Sequence, residues 1–326
     1  MSLKIKYVLT NETQSDPIIK KDFIDNLRNL YQIHIVDKDE DVTLVHTSIY
    51  KKDRSSYKNL TILLDRIDSP SLIDRDALLK KNVIGVIKNC IYRPLNLYNN
   101  SYDFDIKHLS DINSVFNIKD THAKVNSMLS ADSLNKLFIG WNFSFYDTLL
   151  PLRQLHWNYS DEREHAINYI GTINYGQKVV TKHRQLAFDA CGQIKDTRIH
   201  LHNERCLTRD EYWKTLISSK SVLSPWGNGE VCYRDYEAIL CGCVLIKPNT
   251  DHVECWPDIF RSGKTYIECK NDFSDLREIV NDIYSNFDKY LEIRRYAYEL
   301  LVSSFKNNSL ELRFSNIIHS ALSNHT

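Results

Sequence analysis

The first half of the chain alternates short apolar runs with amphipathic stretches. KIKYVLT (4–10), IHIV (33–36), VTLVHTS (42–48), LTILLDR (60–66), NVIGVIKN (82–89) and KLFIGWNFS (136–144) predict strands. Residues 18–31 carry Phe23, Leu27 and Leu30 at helical spacing and predict a helix. Apolar, β-branched strands separated by helices fit a parallel sheet covered on both faces. Over 151–166 the pattern loosens into PLRQLHWNYSDEREHA, which marks a domain boundary. The alternation then restarts. INYIGTI (167–173), RIHLHN (198–203), SVLS (221–224), CVLIKP (243–248) and KTYIEC (264–269) predict strands, and 178–191, 208–220 and 231–241 predict helices. Thr208 with Glu211 three residues on forms a capping box. The tail, from 273 to 322, has helical spacing throughout.

The expected architecture is therefore α/β, with two Rossmann-like units facing across a cleft and long C-terminal helices. At 326 residues the chain exceeds the roughly 250–300 at which a single core stops growing. We expect a first domain over 1–155, a second over 166–305, and a closing helix over 306–326 that can pack back on the first domain. In such sheets ligands bind beyond the carboxyl ends of the strands.

Charge and composition narrow the function classes. The 42 basic and 42 acidic residues cancel, which argues against a general nucleic-acid binder. No apolar run reaches the roughly 18–20 residues of a membrane span, and the N-terminal residues lack a signal-peptide pattern. The expectation is a cytoplasmic protein, with room for peripheral membrane contact. The eight cysteines form no CxxC pair and have no zinc spacing, so they read as reduced, mostly buried thiols.

Chemistry concentrates in one stretch, SPWGNGEVCYRDYEAILCGCVLIKP (224–248). Three of the nine glycines and two of the seven prolines fall within it. Pro225 stops the preceding strand. Gly227 and Gly229 allow positive φ and close backbone approach to a ligand. The start of the next helix, at 230–233, offers unpaired N–H groups to an anion. Glu230, Arg234 and Glu237 would lie within about 60° of one another on that helix. They either line a cavity or form a structural Glu–Arg–Glu ion pair.

This stretch, extended to SKSVLSPWGNGEVCYRDYEAILCGCVLIKP, resembles the donor-site motif of exostosin-like and related bacterial GT-B glycosyltransferases. The likeness spans roughly 166–290 and begins at NYIGTINYGQKVVTKHRQLAFDA, which is similar to the family's opening strand, glycine loop and basic helix. The resemblance implies a nucleotide-diphosphate-sugar donor, UDP- or GDP-linked, and a glycan or other hydroxyl acceptor. It implies no metal cofactor, because positioned cations take the charge of the leaving diphosphate.

The resemblance also implies residue roles. Glu237 would hold the ribose diol, since a carboxylate accepts two hydrogen bonds. Arg234 would neutralise the diphosphate with its guanidinium fork. Gly171, Ser224, Trp226, Gly227, Gly229 and Tyr233 would contact the donor. Lys178, Lys182 and Arg184 are phosphate-ligand candidates or a solvated helix face. His202 would border the base or serve as a surface histidine. Many retaining members separate two glutamates by seven residues. Six lie between Glu230 and Glu237, a departure that leaves inversion against retention open.

The first domain should supply any acceptor base. Asp16, His46 and Asp65 occupy strand ends, where each could equally be a cap, an ion-pair member or a satisfied polar group. His252 and Glu254 follow the next strand and could touch the sugar, while Trp256–Pro257 fixes a turn. DFDIK (103–107) contains a DxD string without a phosphate loop and reads as surface. A nucleotide-sugar epimerase, or a non-catalytic nucleotide-sugar-binding protein, would share most of these features.

Overall fold

The computed structural model describes the chain apart from residues 1, 10–17, 19, 103–105, 117–127, 143–156, 158–159, 195–198, 203–206 and 326, and gives only the backbone of 199–202. The early apolar runs become β1 (Leu3–Tyr7), β2 (Ile33–Val36), β3 (Val42–His46), β4 (Thr61–Asp65), β5 (Val83–Lys88), β6 (Cys90–Tyr92) and β7 (Leu137–Ile139). All but β6 pair in parallel, in the order β2-β1-β3-β4-β5-β7. Every residue of β3, β4 and β5 is buried. Burial on both faces explains why these strands read as near-continuous apolar runs.

The second half repeats the plan with β8 (His165–Ile170), β9 (Ile199–His202), β10 (Ser219–Leu223), β11 (Val244–Pro248), β12 (Val253–Cys255) and β13 (Ile267–Cys269). Its parallel sheet runs β13-β11-β10-β8-β9. In both sheets the first strand of the unit lies between the second and the third. Strand order therefore reverses there, and a crevice opens outside the carboxyl ends of those strands.

Helices cover the sheets. The first half carries α1 (Lys21–Tyr31), α2 (Thr47–Lys52), α3 (Lys107–Phe116) and α4 (Ala131–Leu134). The second carries α5 (Lys178–Gly192), α6 (Arg209–Ile217), α7 (Tyr233–Leu240), α8 (Leu276–Ser285), α9 (Leu291–Ser303) and α10 (Ser309–Ser323). The Thr208–Glu211 capping box at the start of α6 is present, with Thr208 Oγ1 accepting from the Glu211 amide at 3.3 Å. Among the described residues no helix is long and apolar enough to cross a membrane.

The sheets are not wholly parallel in their connections. β6 and β12 pair antiparallel, so one small ribbon contains a strand from each half. Arg93 clamps it with two contacts to Asp258, at 3.2 and 3.3 Å. A short run such as CIY carries too few residues for its period to be legible, and only its partner makes it a strand. The last helix, α10, crosses back to the first sheet. There Phe314 packs with Phe23 at 6.0 Å and Trp141 at 6.5 Å between ring centroids. Arg313 donates from Nε to the Gly140 carbonyl at 3.0 Å.

Candidate functional site

A cavity of about 480 Å³ opens at the reversal point of the second sheet. Residues after β8 (Gly171, Thr172, Tyr175), α5 (Arg184), α6 (Arg209, Tyr212) and α7 (Tyr233, Arg234, Glu237) line it. Five residues singled out in the sequence, Gly171, Arg184, Tyr233, Arg234 and Glu237, thus share one pocket.

Two guanidinium groups dominate this pocket. Arg184 donates from Nη1 to the Thr172 carbonyl at 2.9 Å and from Nε to the Trp226 carbonyl at 3.2 Å. Its guanidinium lies 4.3 Å over the Tyr175 ring. Arg234 donates from Nη2 to the Ile170 carbonyl at 2.5 Å. Its Nε and Nη1 are buried with no hydrogen-bond partner among the described residues. Burial, then the neighbouring Arg234 charge, push the Arg184 pKa down. Two crowded cations with spare donors favour an anion.

Glycine explains how the cations fit. A Cβ on Gly171 would overlap the Arg234 guanidinium and come within 3.5 Å of Arg184 Nη1. Opposite, Glu237 Oε2 accepts a hydrogen bond from Tyr212 Oη at 2.5 Å. Burial pushes the Glu237 carboxyl up, against the Tyr212 hydrogen bond and the Arg234 charge. Tyr233, on the pocket's rim, is 46% exposed.

The glycine loop works differently from the expectation. Neither Gly227 nor Gly229 has positive φ; in this stretch that conformation falls on Gly242, at 65°. A Cβ on Gly227 would come to 3.0 Å from Arg184 Nη2, so the glycine leaves room for that guanidinium. A Cβ on Gly229 would overlap the backbone of Asp68, in the loop after β4. Gly229 therefore packs the second half against the first and does not line the pocket.

The helix also starts later than 231. Asp235 accepts from the Cys232 amide at 2.9 Å and makes Cys232 the N-cap, so α7 begins at Tyr233. Fully buried Asp235 further accepts from Ser224 Oγ at 2.6 Å and pairs with Lys247 Nζ at 3.1 Å. Glu230 consequently precedes the helix, and the expected stripe with Arg234 and Glu237 does not form. Its carboxylate is wholly buried between His108 Nδ1 and His252 Nε2, each at 3.1 Å. Burial alone would push the Glu230 carboxyl up. His108 and then His252 more than offset this and hold it well below the ordinary carboxylate range.

Comparison with known proteins places this geometry. Residues 146–322 match the family model described as the RXYLT1 C-terminal domain. The chain belongs to that family. It is a family of exostosin-like glycosyltransferases, and the GT-B fold expected from the 224–248 stretch is the fold the structure has. A glycosyltransferase from Rickettsia africae ESF-5 superposes with a TM-score of 0.52 at 9% identity, over 99% of both chains. An alpha-glucosyltransferase solved with UDP and a 13-mer DNA containing an HMU base gives 0.51 at 10%, over 99% of this chain and 100% of that one. TarM gives 0.48 at 10%, and this chain, matched over 85%, spans 54% of its length. No curated protein sequence matches the chain.

Within this RXYLT1-family fold the remaining candidates lie outside the pocket. Lys178 and Lys182 are exposed on α5, away from the lining. Ser224 and Trp226 are buried behind it, with Trp226 Nε1 donating to Thr250 Oγ1 at 3.3 Å. In the first half Asp65 is fully buried, its Oδ1 on Lys88 Nζ at 3.0 Å and its Oδ2 on the Ile73 amide at 3.0 Å. His46 is buried, with Nε2 3.0 Å from Tyr7 Oη. Glu254 sits on β12 opposite Ile91, while His252 serves Glu230. Asp16, the DxD string at 103–105 and the His202 side chain lie outside the described residues. Sequence reading missed His108, Tyr212, Asp235 and Lys247, all of which acquire their roles through partners distant in sequence. The one local signal was the Cys232–Asp235 spacing, which has the form of a capping box.

Proposed function

We propose that this chain transfers a sugar from a UDP- or GDP-sugar to a hydroxyl of a glycan or other acceptor, without a bound metal ion. The second unit, over 166–305, holds the donor. The first, over 1–155, receives the acceptor, and the segment 306–326 belongs structurally with the first. One observation carries the reading: Arg184 and Arg234 converge at the reversal point of the second sheet, and Arg234 keeps two buried donors without partners. A diphosphate supplies the missing acceptors. As the glycosidic bond breaks, the same guanidinium groups stabilise the charge growing on it. Glu237, held by Tyr212, would accept from the ribose hydroxyls, and Tyr233, exposed at the pocket's rim, would border the base. Among the described residues seven cysteines are free thiols, six of them buried, which supports a reducing, cytoplasmic setting; polysaccharide assembly would be the process served.

Calorimetric titration with UDP and GDP, together with nucleotide release from a panel of nucleotide sugars, tests this. Arg234→Ala should weaken nucleotide binding about 10- to 100-fold, the worth of one or two charge-assisted hydrogen bonds. Unchanged affinity in both Arg234→Ala and Arg184→Ala would remove the pocket from consideration. Binding without turnover on any acceptor would favour a nucleotide-sugar-binding protein. Donor interconversion without acceptor would favour an epimerase.

A further inference from the structure

The β6–β12 ribbon sets a cysteine of one half against a cysteine of the other. Its register places Val253 opposite Tyr92, Glu254 opposite Ile91 and Cys255 opposite Cys90. The backbone hydrogen bonds tell which kind of pair the two cysteines form. Arg93 donates from its amide across the ribbon to the His252 carbonyl at 2.9 Å. One step along, the amides turn away from the ribbon. Tyr92 donates to Tyr98 Oη at 3.4 Å, and Val253 donates to the Thr250 carbonyl at 3.0 Å. Bonded and non-bonded pairs alternate in an antiparallel ladder, so Cys90 and Cys255, two steps further, are again a non-bonded pair. In such a pair the Cα atoms stand about 4.5 Å apart, and the side chains leave the same face at their closest. Disulfides span Cα separations of about 4.4–6.8 Å. Both thiols are free and buried, Cys90 at 0% and Cys255 at 3% exposure. Among the described residues no other strand pair sets two cysteines opposite each other.

We propose that Cys90 and Cys255 are a redox-sensitive latch, which a peroxide converts to a disulfide tying the first unit covalently to the second. The proposal does not depend on what the pocket binds. Hydrogen peroxide takes two electrons from the pair. One sulfur attacks a peroxide oxygen and becomes a sulfenic acid, and the first water leaves. The other sulfur then displaces the hydroxyl from the sulfenic sulfur. The S–S bond forms, and the thiol proton departs with that hydroxyl as the second water. A dithiol reductant reverses the change by exchange.

The surroundings suit a latch that rests open. Arg93 on Asp258 and Glu230 between its two histidines already hold this seam, so the link joins strands that are in contact without it. Burial pushes the Cys255 thiol up to about 12. Burial also pushes the Cys90 thiol well up; Lys88 opposes this, and Glu230 and Cys255 add to it. The thiolate is the reactive form, so the pair stays a dithiol in a reducing cytoplasm and closes under sustained peroxide.

The test treats the purified chain, with all eight cysteines, with hydrogen peroxide. Remaining thiols are alkylated, and the unreduced digest is read by mass spectrometry. Peptides joined at Cys90 and Cys255 within one chain should dominate the linked species. The same treatment in guanidinium chloride should scatter the links over other cysteines. The oxidised protein should melt about 3–6 °C above the reduced one, the stabilisation of a typical disulfide in a chain of this length. Dithiothreitol should return the lower value. Cys90→Ala and Cys255→Ala should each lose the link and the shift. Each variant is compared with its own reduced form, so a loss of basal stability does not mask the result. Cys241→Ala should keep both. Alkylation of Cys90 and Cys255 after peroxide, or sulfinic acid at either without a link, overturns the assignment. So does linkage chiefly between other cysteines, a link found only between two chains, or an equal yield of the 90–255 link in guanidinium chloride. A link that leaves the melting temperature unchanged shows that it does not hold the units together, and overturns the latch.

Discussion

Gly171 and Gly229 look alike in the sequence and are needed for opposite reasons. A Cβ at Gly171 meets the far end of a flexible arginine, which can move aside. A Cβ at Gly229 meets the backbone of Asp68, which cannot. Gly171→Ala should therefore leave the melting temperature nearly unchanged while displacing Arg234 and weakening UDP binding. Gly229→Ala should cost about 1–3 kcal/mol of stability, the usual penalty of overpacking, read by urea denaturation. If Gly229→Ala proves as stable as the wild type, the two halves do not meet there as the structure shows. Local composition marks both sites as glycine loops; what each glycine avoids is a contact from elsewhere in the chain.

The start of α7 is decided by one buried network. Asp235 caps the helix through Cys232, steadies the loop through Ser224 and neutralises Lys247 on β11. The network fixes the phase of the helix, and so turns Arg234 and Glu237 toward the pocket. Removing one partner of a fully buried pair leaves an uncompensated charge and costs about 3–5 kcal/mol. Lys247→Met should lower urea stability by that order. Nucleotide affinity at low temperature, in the fraction that remains folded, should fall as well, because the helix start loosens. A Lys247→Met protein of wild-type stability would show that Asp235 is held by its hydrogen bonds alone.

Across the whole molecule, Glu230 joins the halves. His108 comes from α3 in the first unit, His252 from the loop before β12 in the second, and both reach the same carboxylate. The β6–β12 ribbon and the Asp68–Gly229 contact lie in the same region of contact. The folded pKa of Glu230 is depressed. Its contribution to stability is accordingly present above the unfolded carboxyl value, near 4.3, and is lost as pH falls below that. Glu230→Gln should be less stable than the wild type by about 3–5 kcal/mol at pH 7, with the gap narrowing between about pH 4 and 3. Urea midpoints at pH 7 and pH 3.5 check this. A gap that stays constant would mean the carboxylate charge contributes nothing to joining the units.

The alternation of apolar runs and amphipathic stretches determined the two parallel α/β units, because burial on both faces writes itself into the central strands such as β3, β4 and β5. The 224–248 stretch marked one wall of the pocket, since close approach to an anion demands small residues and cations near one another in sequence. Arg234 and Glu237 were legible on that ground, and Gly171 and Arg184 through the likeness of the segment that begins at NYIGTINYGQ. Tertiary structure alone decided which way each side chain faces. Glu230 turned inward because two histidines, one from each half, were there to receive it. Asp65 was spent on Lys88, and the backbone of Asp68 was set at the meeting of the halves. Such partners are set by which strands lie side by side, and strand order depends on contacts between segments that local sequence does not record.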